Sequence, residues 1–579
     1  MKEFKNTVTV RDFLSQKVTK KGQWVGALVI FFIAFLVRIP GITWGLPNEL
    51  RNQSLHPDEG LIAAYALQNP YFRPGFYNYG SMYLTFLKLG VDLGTSYRWI
   101  PTSSKTPAWE TAKNIYLTGR VISALAGAGT AAVVFLLLAR ISNVLGSIVG
   151  AIVLGLAPGF LVHSRFLTVD VFASFWVACA LFFSFKAFSN NETTEDKTFR
   201  PVKTLTISAL FAGFAAGTKY TTAVFLVAPL LSVFFLARKL LPVLGVLIIF
   251  AIGFLMATPG AILEPSLFFR DVNYEIRHAA EGHGLVFAGT SSGFFYHIGN
   301  LASAFGLFPL VIGVIGLIFI VYAWKRQCWL MFIISFLLYY FVIASAEVKF
   351  MRYTLPLLPF LAVSLGFTLG RFHEMGGRMR WLSAMILLLV GVSFASKNGP
   401  FTLTAFMMHT DPRDQAARWL LEKTREGKTV AFVTDPWFYS PPLFRDTNLP
   451  GAERRLSTMF EENPYAIRYI PPDGKRKDWD VRLITEIGPE YIVFSSFEFI
   501  DYDRLNQPDF VAFMEMLPKK YDLVALFWGS EPRIARVGSQ EARINREKLR
   551  KIILERYPLE HDLMYIQPSI CVLQKRPIP

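Results

Sequence analysis

The chain has 579 residues, of which 53% are hydrophobic, 15% aromatic and only 18% charged. This balance is too apolar for an ordinary soluble protein of this length. The formal charge is +16, but Lys and Arg residues lie mainly in short loops and are not clustered with aromatic residues on one soluble module, which argues against nucleic-acid binding. The three cysteines provide neither a disulfide framework nor a CxxC metal motif.

Apolar blocks of about 17 to 25 residues have the length that crosses a hydrocarbon core of about 30 Å. The first block, Trp24 to Ile39, follows a Lys-rich start and lacks a small-residue cleavage site, so we interpret it as a retained signal anchor. The pattern predicts about eleven transmembrane helices. Their approximate bounds are 24–42, 117–138, 143–163, 169–188, 203–219, 221–237, 240–258, 299–323, 328–346, 353–370 and 381–398.

The distribution of positive charge predicts the orientation of these spans. If the Lys-rich N-terminus is cytoplasmic, the alternate turns that share its side carry most of the remaining basic residues, as the positive-inside rule requires. An odd number of spans then places everything after residue 398 outside. We therefore predict a transmembrane unit, 1–398, with outer loops 43–116 and 259–298, and an extracytoplasmic domain, 399–579.

Residues 399–579 are richer in charge, proline and turn residues and contain no further spanning block. Short apolar runs predict strands at 428–433, 491–494, 522–528 and 570–574. Helical periodicity occurs at 412–423, 509–517 and 541–556. Strands interleaved with helices predict a soluble α/β domain of about 180 residues.

The first outer loop contains His56-Pro57-Asp58-Glu59, followed by an amphipathic segment, 61–68, that predicts a short helix at the membrane interface. In the functional interpretation one carboxylate is a general base and the other positions the substrate. Alternatively Asp58 only caps the helix, although a cap does not need the repulsion that a second carboxylate adds. Downstream, Tyr79 lies in an aromatic, glycine-rich run that indicates either an interfacial belt or a surface for sugar stacking.

Three later outer turns also carry polar residues, which are costly near the membrane and are therefore functional candidates. Asp170 follows a short polar run and either acts in the site or only caps its helix. Lys219 and Arg352 either bind substrate or only extend to the membrane surface. Two acids and two cations on one face suit an activated hydroxyl and a phosphate leaving group. The further candidate substrate-binding residues in these turns are His163, Arg165, Tyr220 and Tyr353.

The outer segment after the seventh predicted span contains His278 and His283. They are five positions apart, not the three or four that would align them on one helical face, so a metal site is only weakly indicated. The alternatives are an ordinary polar loop and a substrate contact.

These residues resemble motifs of the GT-C glycosyltransferases, specifically glycosyltransferase family 39 and the protein O-mannosyltransferase-like group. The most specific is the Asp58-Glu59 pair within His-Pro-Asp-Glu. The 163–170 run, the 217–220 turn and the Arg352-Tyr353-x-x-Pro356-x-x-Pro359 pattern look like later motifs of that group, so the resemblance spans about residues 20 to 400. The layout also resembles the lipid A aminoarabinose transferases, which carry a soluble domain on the outer face.

The resemblance implies a GT-C membrane fold with Asp58 as catalytic base, Asp170 as a second acid, and Lys219 and Arg352 near a lipid phosphate. It implies a polyprenyl (dolichyl or undecaprenyl) phosphate-linked sugar donor and a protein, lipid or glycan acceptor. Surrounding membrane lipids are the other expected partners, no nucleic acid is expected, and no cofactor is required. The predicted location is a bacterial inner (plasma) membrane.

Two other classes of protein remain as alternatives. A transporter would place charged groups on broken helices near the midplane, often within repeats, whereas here the span interiors are nearly free of charge and no repeat is visible. A non-catalytic scaffold whose outer domain binds a partner leaves the one-sided acids and cations without an explanation.

Overall fold

The computed structural model describes residues 10–190, 199–237, 239–323, 326–443, 463–472, 474–475, 477–554 and 560–577. The charge pattern places Lys2, Lys5, Lys197, Arg238 and Lys325 on the cytoplasmic side and predicts a cytoplasmic loop at 190–197; these five residues and most of that loop lie outside the described ranges. The N-terminal unit consists of the helices α1 (Val10–Ser15), α2 (Lys20–Arg38), α3 (Pro57–Gln68), α4 (Met82–Ser96), α5 (Ala108–Ile141), α6 (Val144–Leu156), α7 (Pro158–His163), α8 (Val169–Asn190), α9 (Phe199–Ala216), α10 (Val227–Ala237), α11 (Leu240–Ala257), α12 (Gly260–Leu263), α13 (Pro265–Glu281), α14 (Gly293–Phe305), α15 (Leu307–Ala323), α16 (Arg326–Ala344), α17 (Leu358–Met375) and α18 (Gly377–Phe394). The 3₁₀ segments Tyr220–Leu226 and Met351–Leu357 precede α10 and α17.

Eight helices among the described residues are long and apolar enough to cross a membrane, or nine if one bent pair counts as a single span. Two shorter apolar helices lie at Val144–Leu156 and Val202–Ala216. Large apolar side chains such as Phe32, Ile248 and Leu388 are exposed on these helices, as expected for a surface that faces lipid. The chain is an integral multi-pass membrane protein, while the count of about eleven stays a prediction.

Two predicted spans are interrupted. The span predicted at 299–323 is divided between α14 and α15, which meet at a bend of 113°. Gly306, with φ of +96°, ends α14, and this backbone conformation favours glycine. The span predicted at 143–163 is divided between α6, which ends at Leu156, and the separate helix α7, which begins at Pro158. Proline has no N–H group to continue the hydrogen bonding of α6.

Close helix contacts in the membrane unit depend on small residues. Helices α6 and α17 pack against each other through Gly146 and Gly150 on α6 and Gly366 and Gly370 on α17. A Cβ atom at Gly366 would lie 2.6 Å from the Gly146 carbonyl oxygen. Both pairs have the small-xxx-small spacing that lets membrane helices approach closely.

The described part of the C-terminal unit forms a mixed six-stranded sheet in the order β2-β1-β3-β6-β4-β5. Its strands are β1 (Val430–Phe432), β2 (Ala466–Ile467), β3 (Tyr491–Ser495), β4 (Tyr521–Phe527), β5 (Arg533–Ile534) and β6 (Ile570–Lys575). The accompanying helices are α19 (Pro400–Met408), α20 (Pro412–Arg425), α21 (Ser496–Arg504), α22 (Pro508–Lys520), α23 (Arg546–Leu554) and α24 (His561–Met564), with a π-helical turn at Leu483–Ile487.

The four predicted strands are confirmed as β1, β3, β4 and β6, and two of the predicted helices as α20 and α22. The helix predicted at 541–556 corresponds to α23, which begins at Arg546, and residues 555 and 556 lie outside the described ranges. All seven residues of β4 are buried, because apolar clusters cover both faces of the sheet. The two-residue strands β2 and β5 were not predicted, since so short a segment has no readable alternation.

The two units are joined by buried polar contacts. The Arg51 guanidinium donates to both carboxylate oxygens of Asp414, at 3.0 Å and 2.9 Å, and the Trp44 indole donates to Asp411 at 3.2 Å. Arg51 and Trp44 belong to the first outer loop, whereas both acids lie at the start of α20. The first outer loop and the C-terminal unit therefore lie at the same end of the helical bundle.

Candidate active site

Asp58 lies in the first turn of α3, which begins at Pro57. The N-cap of this helix is His56, whose Nδ1 accepts a hydrogen bond of 3.2 Å from the Asp58 N–H. The alternative that Asp58 caps the helix is therefore wrong. Its side chain is 22% exposed, and its Oδ2 lies 3.4 Å from Nη2 of Arg352.

Arg352 joins Asp58 to an acid of the C-terminal unit. Its backbone N–H donates to Oδ2 of Asp562 at 2.8 Å, and its Nη1 donates to Oδ1 at 3.2 Å. The guanidinium also lies over the Phe350 ring, 3.9 Å from the centroid. One guanidinium thus contacts two carboxylates and an aromatic face, which fixes its position.

Lys219 and Asp170 form a second buried ion pair beside the first. Asp170 lies in the first turn of α8, and its carboxylate pairs with Lys219, so the prediction that it only caps this helix does not account for its side chain. The Lys219 ammonium lies 4.1 Å from the centroid of the Tyr353 ring, and the Arg352 guanidinium lies 6.0 Å from the same centroid. Both cations are therefore held within one site and do not simply extend to the membrane surface.

The loop that carries Tyr79 packs tightly against the turn that carries Lys219. The Gly80 N–H donates to the Thr218 carbonyl at 3.2 Å, and a Cβ atom at Gly80 would collide with the Gly217 carbonyl. Tyr220 donates through its hydroxyl to the carbonyls of Tyr77 and Tyr79, at 2.9 Å and 3.1 Å. Tyr220 therefore orders this loop, and its predicted contact with substrate stays a prediction.

Tyr79 is close enough to Asp58 to respond to its charge. Burial and the Asp58 carboxylate hold the pKa of the Tyr79 phenol well above its usual range. This tyrosine therefore keeps its proton and can donate a hydrogen bond beside Asp58.

Glu59 has a different environment from its neighbour. Arg120 donates to both of its carboxylate oxygens, at 2.8 Å and 2.7 Å, and neither side chain is exposed. The Leu167 N–H donates to the same carboxylate at 2.6 Å, and Ser54 also hydrogen-bonds to it. Arg120 of α5, Ser54 and the Leu167 N–H already occupy the oxygens of Glu59, which gives this carboxylate a structural role. Its predicted part in catalysis or in positioning the substrate stays a prediction.

Arg165 is likewise occupied by the protein itself. It donates to the carbonyls of Val37 and Arg38, at 2.9 Å and 3.2 Å, and to the Thr404 hydroxyl at 3.0 Å. These contacts tie the end of α2 to α19. Arg165 therefore has a structural role, and its predicted contact with substrate stays a prediction.

His56 and His163 are buried around the two ion pairs. Burial lowers the pKa of each imidazole to about 3, so both are neutral at physiological pH. His163 Nε2 lies 3.8 Å from Oδ2 of Asp562, and the His56 ring lies 5.0 Å from the Tyr565 ring. Both therefore meet the C-terminal unit at the site.

His278 and His283 come together although their spacing did not predict it. His278 lies near the end of helix α13, in a segment for which an ordinary polar loop was one alternative. The Nε2 atom of His278 is 3.3 Å from Nδ1 of His283. Among the described residues no group of three or more His, Cys, Asp or Glu side chains has the arrangement of a metal site. The His283 ring lies 5.3 Å from the Phe350 ring, so this pair borders the site at Arg352.

Asp562 also belongs to this site, although its place there was not predicted from the sequence. It lies on α24, 210 positions from Arg352, and is fully buried. Burial raises the pKa of its carboxyl to about 6, although the Arg352 guanidinium opposes this shift. The only signal in the sequence was the polar run Glu560-His561-Asp562 just before an apolar strand.

These features define a polytopic membrane protein with a charged, aromatic-lined site at the junction of its helical bundle and its soluble unit. Residues 28–258 match the model of the dolichyl-phosphate-mannose-protein mannosyltransferase family. The resemblance to the GT-C glycosyltransferases is thereby confirmed over this part of the chain. The matched region includes Asp58, Asp170 and Lys219 but neither Arg352 nor Asp562.

Solved structures that align with this chain include ArnT from Cupriavidus metallidurans bound to undecaprenyl phosphate, at 15% identity and a TM-score of 0.46, over 84% of this chain and 95% of that one. Another is the oligosaccharyltransferase AglB from Archaeoglobus fulgidus in complex with an inhibitory peptide and a dolichol-phosphate, at 12% identity and a TM-score of 0.46, over 94% and 77%. The Saccharomyces cerevisiae protein O-mannosyltransferase Pmt1-Pmt2 complex, bound to the sugar donor, aligns at 15% identity and a TM-score of 0.30, over 47% and 36%. No curated protein matches the chain at a significant level.

Proposed function

We propose that this protein is an integral membrane glycosyltransferase that transfers a sugar from a polyprenyl-phosphate-linked donor to an acceptor hydroxyl on the extracytoplasmic face. The observation that carries the proposal is the pairing of a partly exposed carboxylate, Asp58, with a guanidinium, Arg352, beside a second cation, Lys219. The family matched by residues 28–258 is named for a lipid-phosphate-linked mannose donor, which supports a donor of this class.

In the proposed reaction Asp58 accepts the proton of the acceptor hydroxyl as its oxygen attacks the anomeric carbon of the sugar. The new bond from carbon to acceptor oxygen forms while the bond from carbon to phosphate oxygen breaks, and the polyprenyl phosphate leaves. With one base and no covalent intermediate, the anomeric configuration inverts through an oxocarbenium-like transition state. The reaction balances without a metal ion or cofactor.

The leaving phosphate gains negative charge in this step, and cations fixed beside it lower the barrier. Lys219 and Arg352 suit this role because carboxylates and the Tyr353 ring already hold them in place. Fixed charges need little reorganisation when the donor reacts. Asp170 contributes by holding Lys219, and Asp562 by holding Arg352.

The test is mass spectrometry of glycans and glycoproteins from a deletion strain complemented with wild type, with Asp58→Asn or with Asp92→Asn. Loss of a general base lowers the rate by about 10²- to 10⁴-fold, so Asp58→Asn should leave the glycan products of the deletion strain unrestored. Asp92 is the control because its carboxylate accepts from Tyr71 at an exposed position on α4. Normal products with a correctly inserted Asp58→Asn protein would show that Asp58 is not the base.

A further inference from the structure

A cavity of about 500 Å³ lies between the membrane unit and the C-terminal unit. One wall is formed by the end of α13 and the loop after it, including Tyr274, His278 and His283. The other wall belongs to the C-terminal unit and includes Tyr439 and Glu498. The volume falls within the range of roughly 300–1,000 Å³ that is typical of small-molecule sites.

The lining combines flat aromatic faces with acceptors of hydrogen bonds. The Tyr274 ring lies parallel to the His278 ring, with centroids 5.9 Å apart, and Tyr439 stacks on Phe497. Three carboxylates line the same space, those of Asp478, Glu498 and Asp501, and the described lining includes no Lys or Arg side chain. This chemistry disfavours an anionic ligand and suits one with hydroxyl donors and apolar ring faces.

Several lining groups are already fixed by neighbours. Asp478 accepts from the Tyr502 hydroxyl at 2.6 Å, and Glu498 accepts from the Thr434 hydroxyl at 2.5 Å. Arg504 of the C-terminal unit, which is not among the lining residues, donates to the Leu285 carbonyl at 2.9 Å and to the Val286 carbonyl at 3.2 Å in the loop after α13. The two walls are therefore held together, so a ligand meets groups that are already oriented.

The cavity borders the candidate active site. His283 contacts the Phe350 ring, which covers the Arg352 guanidinium. From the other wall the Phe497 ring lies 5.1 Å from the His561 ring, which lies 5.6 Å from Phe350. One aromatic ring thus separates the cavity from the cation that pairs with Asp58.

We propose that this interdomain cavity binds a neutral saccharide, the part of the acceptor next to the hydroxyl that is glycosylated. This inference rests on the proposed function and adds the class of acceptor. The donor phosphate belongs at Lys219 and Arg352, because the described residues that line the cavity offer carboxylates rather than cations. A saccharide matches both features of the lining, since its hydroxyls donate to carboxylates and its apolar ring faces stack on aromatic rings.

The test measures binding of three probes to the full-length protein in nanodiscs by saturation-transfer NMR and titration. The probes are a neutral hexose trisaccharide, a galacturonic acid trimer and a Ser/Thr-rich heptapeptide. We expect the neutral trisaccharide to bind at least about tenfold more tightly than the acidic trimer, because like charge opposes the acid. The double variant Tyr274→Ala/His278→Ala should bind the neutral trisaccharide roughly three- to tenfold more weakly than wild type, as expected for a lost aromatic contact.

The matched control is Tyr97→Ala/His409→Ala, which removes an exposed tyrosine and an exposed histidine away from the cavity and should leave binding unchanged. Equal trisaccharide binding by wild type and Tyr274→Ala/His278→Ala would overturn the inference, as would a preference for the heptapeptide or the acidic trimer.

Release of polyprenyl phosphate from a lipid-linked donor is measured in the same samples. Donor cleavage without saccharide binding refutes the acceptor inference and leaves the proposed function standing. Saccharide binding without donor cleavage by wild type refutes the proposed function and, with it, the acceptor role of the cavity.

Discussion

Adjacent carboxylates at positions 58 and 59 have opposite surroundings. Neighbouring residues of a helix point about 100° apart, so Asp58 reaches the partly open space beside Arg352 while Glu59 points into the protein toward Arg120. A carboxylate that accepts a substrate proton must be reachable, and one that anchors a buried arginine must not be displaced. The two environments therefore suit Asp58 to the proposed role of base and Glu59 to that of anchor.

Glu59→Ala should destabilise the protein by about 3–5 kcal/mol, because it leaves the fully buried Arg120 without its only paired carboxylate among the described residues. Thermal unfolding of the purified protein in detergent measures the change. Glu374→Ala is the control, since its pair with Arg371 is partly exposed and contributes no more than about 1 kcal/mol. Equal losses of stability in the two variants would contradict the anchoring role of Glu59.

The close packing of helices α6 and α17 helps to position the candidate site. Without a hydrophobic driving force between helices in lipid, close van der Waals packing contributes much of their association. The glycines of α6 and α17 allow backbone contact at this crossing. Since α17 continues the 3₁₀ segment that carries Arg352, the crossing also fixes the depth of the site.

Gly366→Ala should lower stability by roughly 1–3 kcal/mol, the usual cost of overpacking, because the new methyl group would lie 2.6 Å from the Gly146 carbonyl oxygen. Gly391→Ala on α18 is the matched substitution, since no atom lies within 4 Å of a Cβ atom there, and it should be neutral or slightly stabilising. Melting temperatures of both variants in one detergent make the comparison. Similar values for both would refute close packing at the crossing.

At the scale of the whole molecule, the C-terminal unit contributes a residue directly to the candidate active site. Asp562 reaches Arg352 from α24, and Arg51 and Trp44 hold α20 against the first outer loop. The site is therefore built by both units, and a change in how they dock would move Arg352 relative to Asp58.

Asp562→Asn should alter the pH dependence of transfer. As the pH falls through about 6, the wild-type Asp562 carboxyl gains a proton and loses the charge that holds Arg352. We therefore expect kcat/KM of wild type to decline below about pH 6, and Asp562→Asn to have lower activity at neutral pH without this decline. Rates of transfer measured from pH 5 to 8 test the prediction. Asp509→Asn, which changes an exposed acid of the same unit, is the control. A pH profile of Asp562→Asn identical to that of wild type would exclude a role for Asp562 in positioning Arg352.

Local patterns in the sequence were sufficient for much of the architecture. Apolar block length predicted helices that cross the membrane, and short apolar runs predicted the four longer strands, because both signals depend only on neighbouring residues. The breaks at Gly306 and Pro158 were missed because a hydropathy window averages over them. The motifs also predicted Asp58, Asp170, Lys219, Arg352 and Tyr353, which the fold brings into one site.

The sequence by itself therefore determined the class of fold and the residue types available for chemistry, since burial in lipid demands apolar blocks and leaves charged residues conspicuous. Tertiary structure alone decided which charges meet. It separated Asp58 from Glu59, assigned Arg165 and Tyr220 to internal contacts, and brought Asp562 to Arg352. Such pairings depend on three-dimensional distance, and chain order carries no information about a contact across 210 positions.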